Sequence, residues 1–112
     1  MESPDFEKSK IYIIAGMEDF SNQKVVVKDI LKRATGNIRA VFVDRGHQLT
    51  EQHSRFDHFI HILEGKAEVL IDNRSYNLSS GQSIIIPAHS TNSIKASEKF
   101  KMISTIIKSG YE

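Results

Sequence analysis

The chain has 112 residues, room for one domain and little more. Its 15 Lys and Arg balance 14 Asp and Glu, which leaves no basic field to hold nucleic acid. It has no cysteine, so disulfides, thiolate zinc sites and cysteine nucleophiles are excluded.

The acidic start, Met1 to Glu7, lacks the basic and apolar regions of a signal peptide, and the expected setting is the cytoplasm. Apolar runs of four to six residues are too short to span a membrane. The aliphatic residues are mostly branched at Cβ: 15 Ile and 6 Val against 5 Leu and 6 Ala. Branching restricts χ1 in a helix and suits a pleated sheet. Residues 1–23 read as an N-terminal extension carrying a strand at 11–14, and residues 24–108 as a barrel, all within one domain, 1–112. A short helix between Met17 and Asn22 has too little support to be counted. Strands are expected at 24–31 and at 37–44, where Ile38, Ala40 and Phe42 alternate with Arg39, Val41 and Val43. Residues 58–63 turn through Glu64-Gly65 into 66–71, and Asp72-Asn73 closes a hairpin onto 74–78. An isoleucine run at 83–86 stops at Pro87, and 100–107 is the last strand. The pattern is all-β and antiparallel.

From Gly46 onward two half-motifs stand in order. The first ends with His58, six residues, then Gly65; the second begins with Gly81, five residues, then Pro87, and 15 residues separate Gly65 from Gly81. Each is a strand-turn-strand unit, with glycine where the turn needs positive φ and proline where the strand stops. In this the chain resembles the cupins, small barrels whose motifs read G-x5-H-x-H-x3–4-E-x6-G and G-x5-P-x-G-x2-H-x3-N. The resemblance covers roughly residues 37–107. It implies a single-domain antiparallel β-barrel of cupin type, a double-stranded β-helix or jelly roll.

In metal-binding cupins the two His and the Glu of the first motif, with the His of the second, hold Mn, Fe, Ni or Zn. Three registers are open here. Counting back from Gly65 puts His58 at the Glu position, His53 at the second His and Glu51 at the first. A second register begins at His53 and puts Arg55 next; a third keeps the Gly46 spacing and puts Gln52 and Ser54 at the His positions. In the second motif Asn92 stands where the His belongs, His89 replaces the glycine and Ala96 the asparagine.

Two imidazoles and a carboxylate, from Glu51, His53 and His58, suit one divalent transition metal, Zn, Fe, Mn or Ni. The same residues also read as polar lining of a wet cavity. His53, His58 and Asn92 are expected inside the barrel beside Ile60 and Ile62, with Arg55 and His89 completing the pocket. Arg55 turned inward is a fixed cation for a carboxylate or phosphate; paired with Asp57 it is a rim residue. No Gly-x-Ser-x-Gly elbow or glycine-rich phosphate loop is present.

The leading expectation is a metal-poor or metal-free cupin that binds a small polar or anionic molecule, as a sensor or accessory protein. The alternative is a metal-dependent enzyme of dioxygenase or isomerase type built on Glu51, His53 and His58. A third reading is a structural dimer with an Ile-filled lumen. A homodimer is expected on each reading, because strands 58–63, 83–86 and 100–107 are apolar on both faces. The strand at 11–14 is then free to extend a partner's sheet edge.

Overall fold

Alternating branched residues fold into antiparallel ladders in the computed structural model, which describes residues 5–17 and 24–108, the side chains of 50–53 excepted. The strands are β1 (Val25–Arg33), β2 (Gly36–Val43), β3 (Gln48–His53), β4 (His58–Glu64), β5 (Lys66–Ile71), β6 (Arg74–Ser79), β7 (Ser83–Ile86), β8 (Thr91–Ala96) and β9 (Phe100–Ile107). They form two sheets, β1-β2-β9-β4-β7 and β3-β8-β5-β6. Strand β8 has no counterpart in the sequence reading. No described helix is long and apolar enough to cross a membrane.

Strand register fixes what faces the space between the sheets. On the first sheet, Val41, Met102 and Ile62 lie in one row across β2, β9 and β4. Arg39, Ser104 and Ile60 form the next row, and Asn37, Ile106 and His58 the last. On the second sheet, Ala67 pairs with Ala96, Val69 with Ile94, and Ile71 with Asn92. Residues 54–57 and 87–90 link the two sheets at one end, so the His58 and Asn92 ends lie together. The far end is a closed apolar core of Val43, Ile62, Ala67, Val69 and Phe100 among others. Asn37, Arg39, His58, Asn92 and Ser104 all belong to the near half. The interior is therefore apolar at one end and polar at the other.

Ala40 and Phe42 alternate with these positions and face away from the core, yet both are fully buried. The N-terminal arm, residues 5–17, is hydrogen-bonded to this side of the sheet. Its Phe6 N–H donates to the Ile30 carbonyl at 3.0 Å, on the free edge of β1 beside the irregularity between Asp29 and Leu31. Asp5 accepts from Lys32 N at 3.0 Å and from Arg33 Nη1 at 2.7 Å. Farther along, Lys101 Nζ donates to the Ala15 carbonyl at 2.5 Å and Lys28 Nζ to the Met17 carbonyl at 3.1 Å. These carbonyls lie at the end of a single 3-10 turn, Ile14–Gly16, where helical carbonyls need partners from outside the turn. Two ammonium groups thus pin the arm over Phe42, whose burial stabilises the fold by about 2–3 kcal/mol.

The strand expected at 11–14 does not form. Ser9 adopts a left-handed φ of 59° in the turn ahead of it, and the 3-10 turn follows directly. The arm lies across a face of the sheet rather than along another strand, and Ile11 and Ile13 point outward. The stretch from Met17 to Asn22, where a helix had too little support to be counted, falls almost entirely outside the described residues.

The turns carry the backbone demands that sequence implied. Asp72 and Asn73 both have positive φ, 46° and 71°, as a tight two-residue hairpin turn requires. Gly65 combines a φ of 92° with close packing, since a Cβ there would sit 2.0 Å from the Lys99 carbonyl oxygen and 2.8 Å from Phe100 Cα. Gly81 has a similar φ, 85°, but open space around it. Gly81→Ala is expected to cost about 1 kcal/mol, the strain of a left-handed residue, and Gly65→Ala more than about 3 kcal/mol. Urea titration of both variants checks this; equal losses would show that the approach of residues 99–100 yields easily.

Candidate functional site

The polar half of the interior is built on three neighbouring strands. Asp29 on β1 is in register with Arg39 on β2, and Arg39 with Ser104 on β9. Period two then points all three side chains to the inner face. Arg39 Nε donates to Asp29 Oδ1 at 3.0 Å, which fixes the plane of the guanidinium. No described residue hydrogen-bonds its two Nη groups. Next to it, His58 Nε2 and the buried Ser104 hydroxyl share a short hydrogen bond.

Arg39, His58 and Ser104 line a cavity of about 110 Å³, bounded on its other sides by Val27, Val41, Leu49, Met102 and Ile106. That volume corresponds to about three or four water molecules. Burial, and after it the positive charge of Arg39, push His58 down to about 4. At neutral pH the imidazole is uncharged and Arg39 is the cation of the cavity.

The residues singled out from sequence are distributed around this centre. His58 lines the cavity; Ile60 and Ile62 follow it on the same face of β4, buried in the apolar core. Asn92 is buried on β8 of the facing sheet, opposite Ile71 and in register with Gln52. Arg55 is exposed in the 54–57 connection, and His89 is exposed in the connection after β7. These two connections are tied together: His89 N donates to the Ser54 carbonyl at 2.6 Å and Ala88 N to Asp57 Oδ1 at 2.8 Å. The side chains of Glu51 and His53 lie outside the described residues; the backbone register pairs His53 with Thr91. His61, of opposite parity to His58, meets Ser83 on the outer face at 2.6 Å.

Sequence reasoning passed over Arg39, Asp29 and Ser104. The available signal was the alternation in β2, which sets Asn37 and Arg39 on one face and Ile38, Ala40 and Phe42 on the other. Hydrophobicity alone assigns the second set to the core. The arm reverses that assignment, because it gives the apolar face a separate cover.

The described donors do not fit a divalent cation. They offer a single imidazole, engaged at Nε2 by Ser104, with a guanidinium beside it that repels positive charge. No group of three His, Asp or Glu among the described residues is placed to hold a metal ion. Ser104 and His58 also make a poor nucleophile and base: an imidazole pushed to about 4 is a weak proton acceptor. No described carboxylate orients its Nδ1.

Comparison with known proteins agrees with this architecture. A conserved Streptococcus pyogenes protein of unknown function superposes with a TM-score of 0.86 at 25% identity, covering 96% of this chain and 95% of that one. A cupin superfamily protein from Desulfitobacterium hafniense gives 0.80 at 21% identity, over 90% and 92% of the two chains. An RmlC-like cupin from Shewanella frigidimarina gives 0.72 at 16% identity, over 78% of each. A search of curated proteins finds no match. Residues 20–111 match the family model described as mannose-6-phosphate isomerase C-terminal. By sequence and by fold, the chain belongs to this family of cupin-type domains.

Proposed function

We propose that the chain binds a small anion, a carboxylate or phosphate, directly on Arg39 in the polar half of the barrel, without a metal. It acts in the cytoplasm as a sensor or accessory protein. The observation that carries this reading is the arrangement of the guanidinium: Asp29 holds Nε, and both Nη groups remain for a ligand beside an uncharged His58. A planar fork presented in this way matches the two oxygens of a carboxylate or phosphate. The Ser104 hydroxyl and His58 offer neutral hydrogen bonds, and Val27, Val41, Leu49 and Met102 surround the rest of the molecule. Arg55 and His89, exposed on the connections at the same end, would extend the contact outward.

The metal-dependent alternative needs Glu51, His53 and His58 to converge. It would bring a dication toward Arg39 and require His58 to give up its hydrogen bond to Ser104. Both demands count against it.

A panel of small mono- and dicarboxylates with inorganic phosphate, screened by thermal shift and then calorimetry, tests the proposal. Arg39→Gln is expected to weaken binding of any hit by 10-fold or more, about the 1.4 kcal/mol or larger loss of a charge-assisted contact. Unchanged affinity in that variant would defeat the assignment. Stoichiometric uptake of Zn, Fe, Mn or Ni, lost in His58→Ala, would transfer the site to the metal-dependent reading.

The ligand-free protein should also carry the signature of His58. Its folded value of about 4 lies below the ordinary histidine value of about 6.5, so the unfolded chain binds the extra proton first. Stability is therefore complete above about pH 6.5 and falls as pH drops toward 4, by up to about 3 kcal/mol. The Arg33 guanidinium beside Asp5 holds that carboxyl below its ordinary range, so its own loss begins only at lower pH. Denaturant unfolding between pH 7 and pH 4.5 should show the decline in the parent chain and a flatter profile in His58→Gln. An identical slope in both would remove His58 as its source.

A further inference from the structure

Each sheet has two outer edges, and three of the four are occupied or blunted. The N-terminal arm hydrogen-bonds to the edge of β1 through Phe6 and Asp5, beside the irregularity between Asp29 and Leu31. Strand β3 is irregular between Leu49 and Gln52. Strand β7 has four residues and stops at Pro87. Strand β6 is different. Its six residues pair with β5 in unbroken register, it contains no lysine or proline, and its other side is free. Folded proteins generally avoid such an edge, because it is a template for another strand.

The hairpin turn decides which backbone groups of β6 point outward. Asp72 and Asn73 form the turn, so Ile71 and Arg74 are a hydrogen-bonded pair, and the pairing alternates from there. The N–H and C=O groups of Tyr76 and Leu78 therefore serve β5, and those of Ser75, Asn77 and Ser79 face away from it. At Ser79 these groups are taken: its N–H donates to Gln82 Oε1 at 2.8 Å, and its carbonyl accepts from Gln82 N at 3.0 Å. The outward groups of Ser75 and Asn77 have no such partner among the described residues. They present two donors and two acceptors with a repeat of roughly 7 Å, which another extended polypeptide matches.

This edge is one wall of a groove of about 650 Å³, and Gln82, Ser83 and Ile84 at the start of β7 are the other. Tyr76 and Leu78 stand on the inner side of β6, opposite Val69 and Ala67, and Ile84 on the inner side of β7, opposite Ile60. They give the groove an apolar floor, in which Tyr76 remains 37% exposed. Arg74 lies two residues from Tyr76 on the same side of β6, and its side chain makes no ion pair or hydrogen bond among the described residues. One end of the groove thus carries an unanswered positive charge.

We infer that this groove is a docking site for an extended segment of another polypeptide, which adds to β6 as a fifth strand of the second sheet. Running antiparallel, the segment exchanges backbone hydrogen bonds with Ser75 and Asn77, seats an apolar side chain over Tyr76, and places an acidic side chain two residues later against Arg74. The backbone bonds accept any extended chain. The apolar floor and the guanidinium select an apolar residue followed, at the second position, by an acidic one.

The probe is the peptide acetyl-Ser-Val-Thr-Val-Thr-Glu-amide, titrated into the full chain and followed by NMR and calorimetry. The Ser75 and Asn77 amides should shift and gain protection from hydrogen exchange, with the edges of β1 and β3 unchanged. Methylating both Thr nitrogens of the peptide removes its share of the ladder and keeps every side chain; binding should weaken 10-fold or more. Arg74→Glu should weaken the parent peptide and prefer the version ending in Lys, a reversal that loss of folding cannot imitate. Asn77→Pro, tolerated because that N–H faces away from β5, should abolish binding with circular dichroism preserved. No binding of the parent peptide at millimolar concentration overturns the inference, and so does equal affinity of the methylated peptide. Protection of Ser75 and Asn77 without peptide, as the protein doubles in mass, would also overturn it by assigning the edge to a second copy.

Discussion

A guanidinium on an inward-facing strand position constrains everything around it. Arg39 keeps 40% of its side chain exposed, and the charge on the covered remainder has to be answered by neighbouring groups. The fold meets this in three ways. Asp29 stands opposite on β1 and accepts from Nε; the end of the barrel where Arg39 sits is the polar one; and His58, its cationic competitor, stays uncharged at neutral pH. Each accommodation has a chemical consequence. The aspartate fixes the plane of the fork. The polar end holds a cavity of about 110 Å³. A neutral imidazole leaves Arg39 as the cation among the described residues that line the cavity.

The second constraint is that both sides of β2 are largely buried. Its inner face carries Asn37, Arg39, Val41 and Val43, and its outer face carries Ala40 and Phe42, both fully buried, beside the partly exposed Ile38. Period-two reasoning assumes one wet and one dry face, and here both are covered by different partners. The β-rich character, the Asp72-Asn73 hairpin, and the turns at Gly65 and Gly81 were legible because each depends on a few adjacent residues. Arg39, Asp29 and Ser104 come from three strands separated by up to 75 positions in sequence, and only register brings them side by side. Strand β8 was hidden for a related reason. Its inward residues, Asn92, Ile94 and Ala96, alternate with Thr91, Ser93 and Lys95, too polar a run to stand out until Ile71, Val69 and Ala67 are set against it.

The motif residues separate into two classes that respond differently to change. Gly65, Gly81 and Pro87 keep the cupin spacing because they answer to backbone geometry, which the two sheets impose whatever the barrel binds. The ligand positions answer only to the bound group, and in the second motif Asn92 replaces the expected imidazole. His89 makes the distinction sharpest. It occupies the place of a motif glycine and still adopts a left-handed φ of 67°. A side chain there is strained by about 1 kcal/mol or more, yet the turn keeps its shape and its amide still reaches the Ser54 carbonyl. The conformation belongs to the fold, and glycine is one way of meeting it. Membership of a cupin-type family therefore accounts for where these turns lie and says little about chemistry in the interior, which depends on Arg39 and the groups around it.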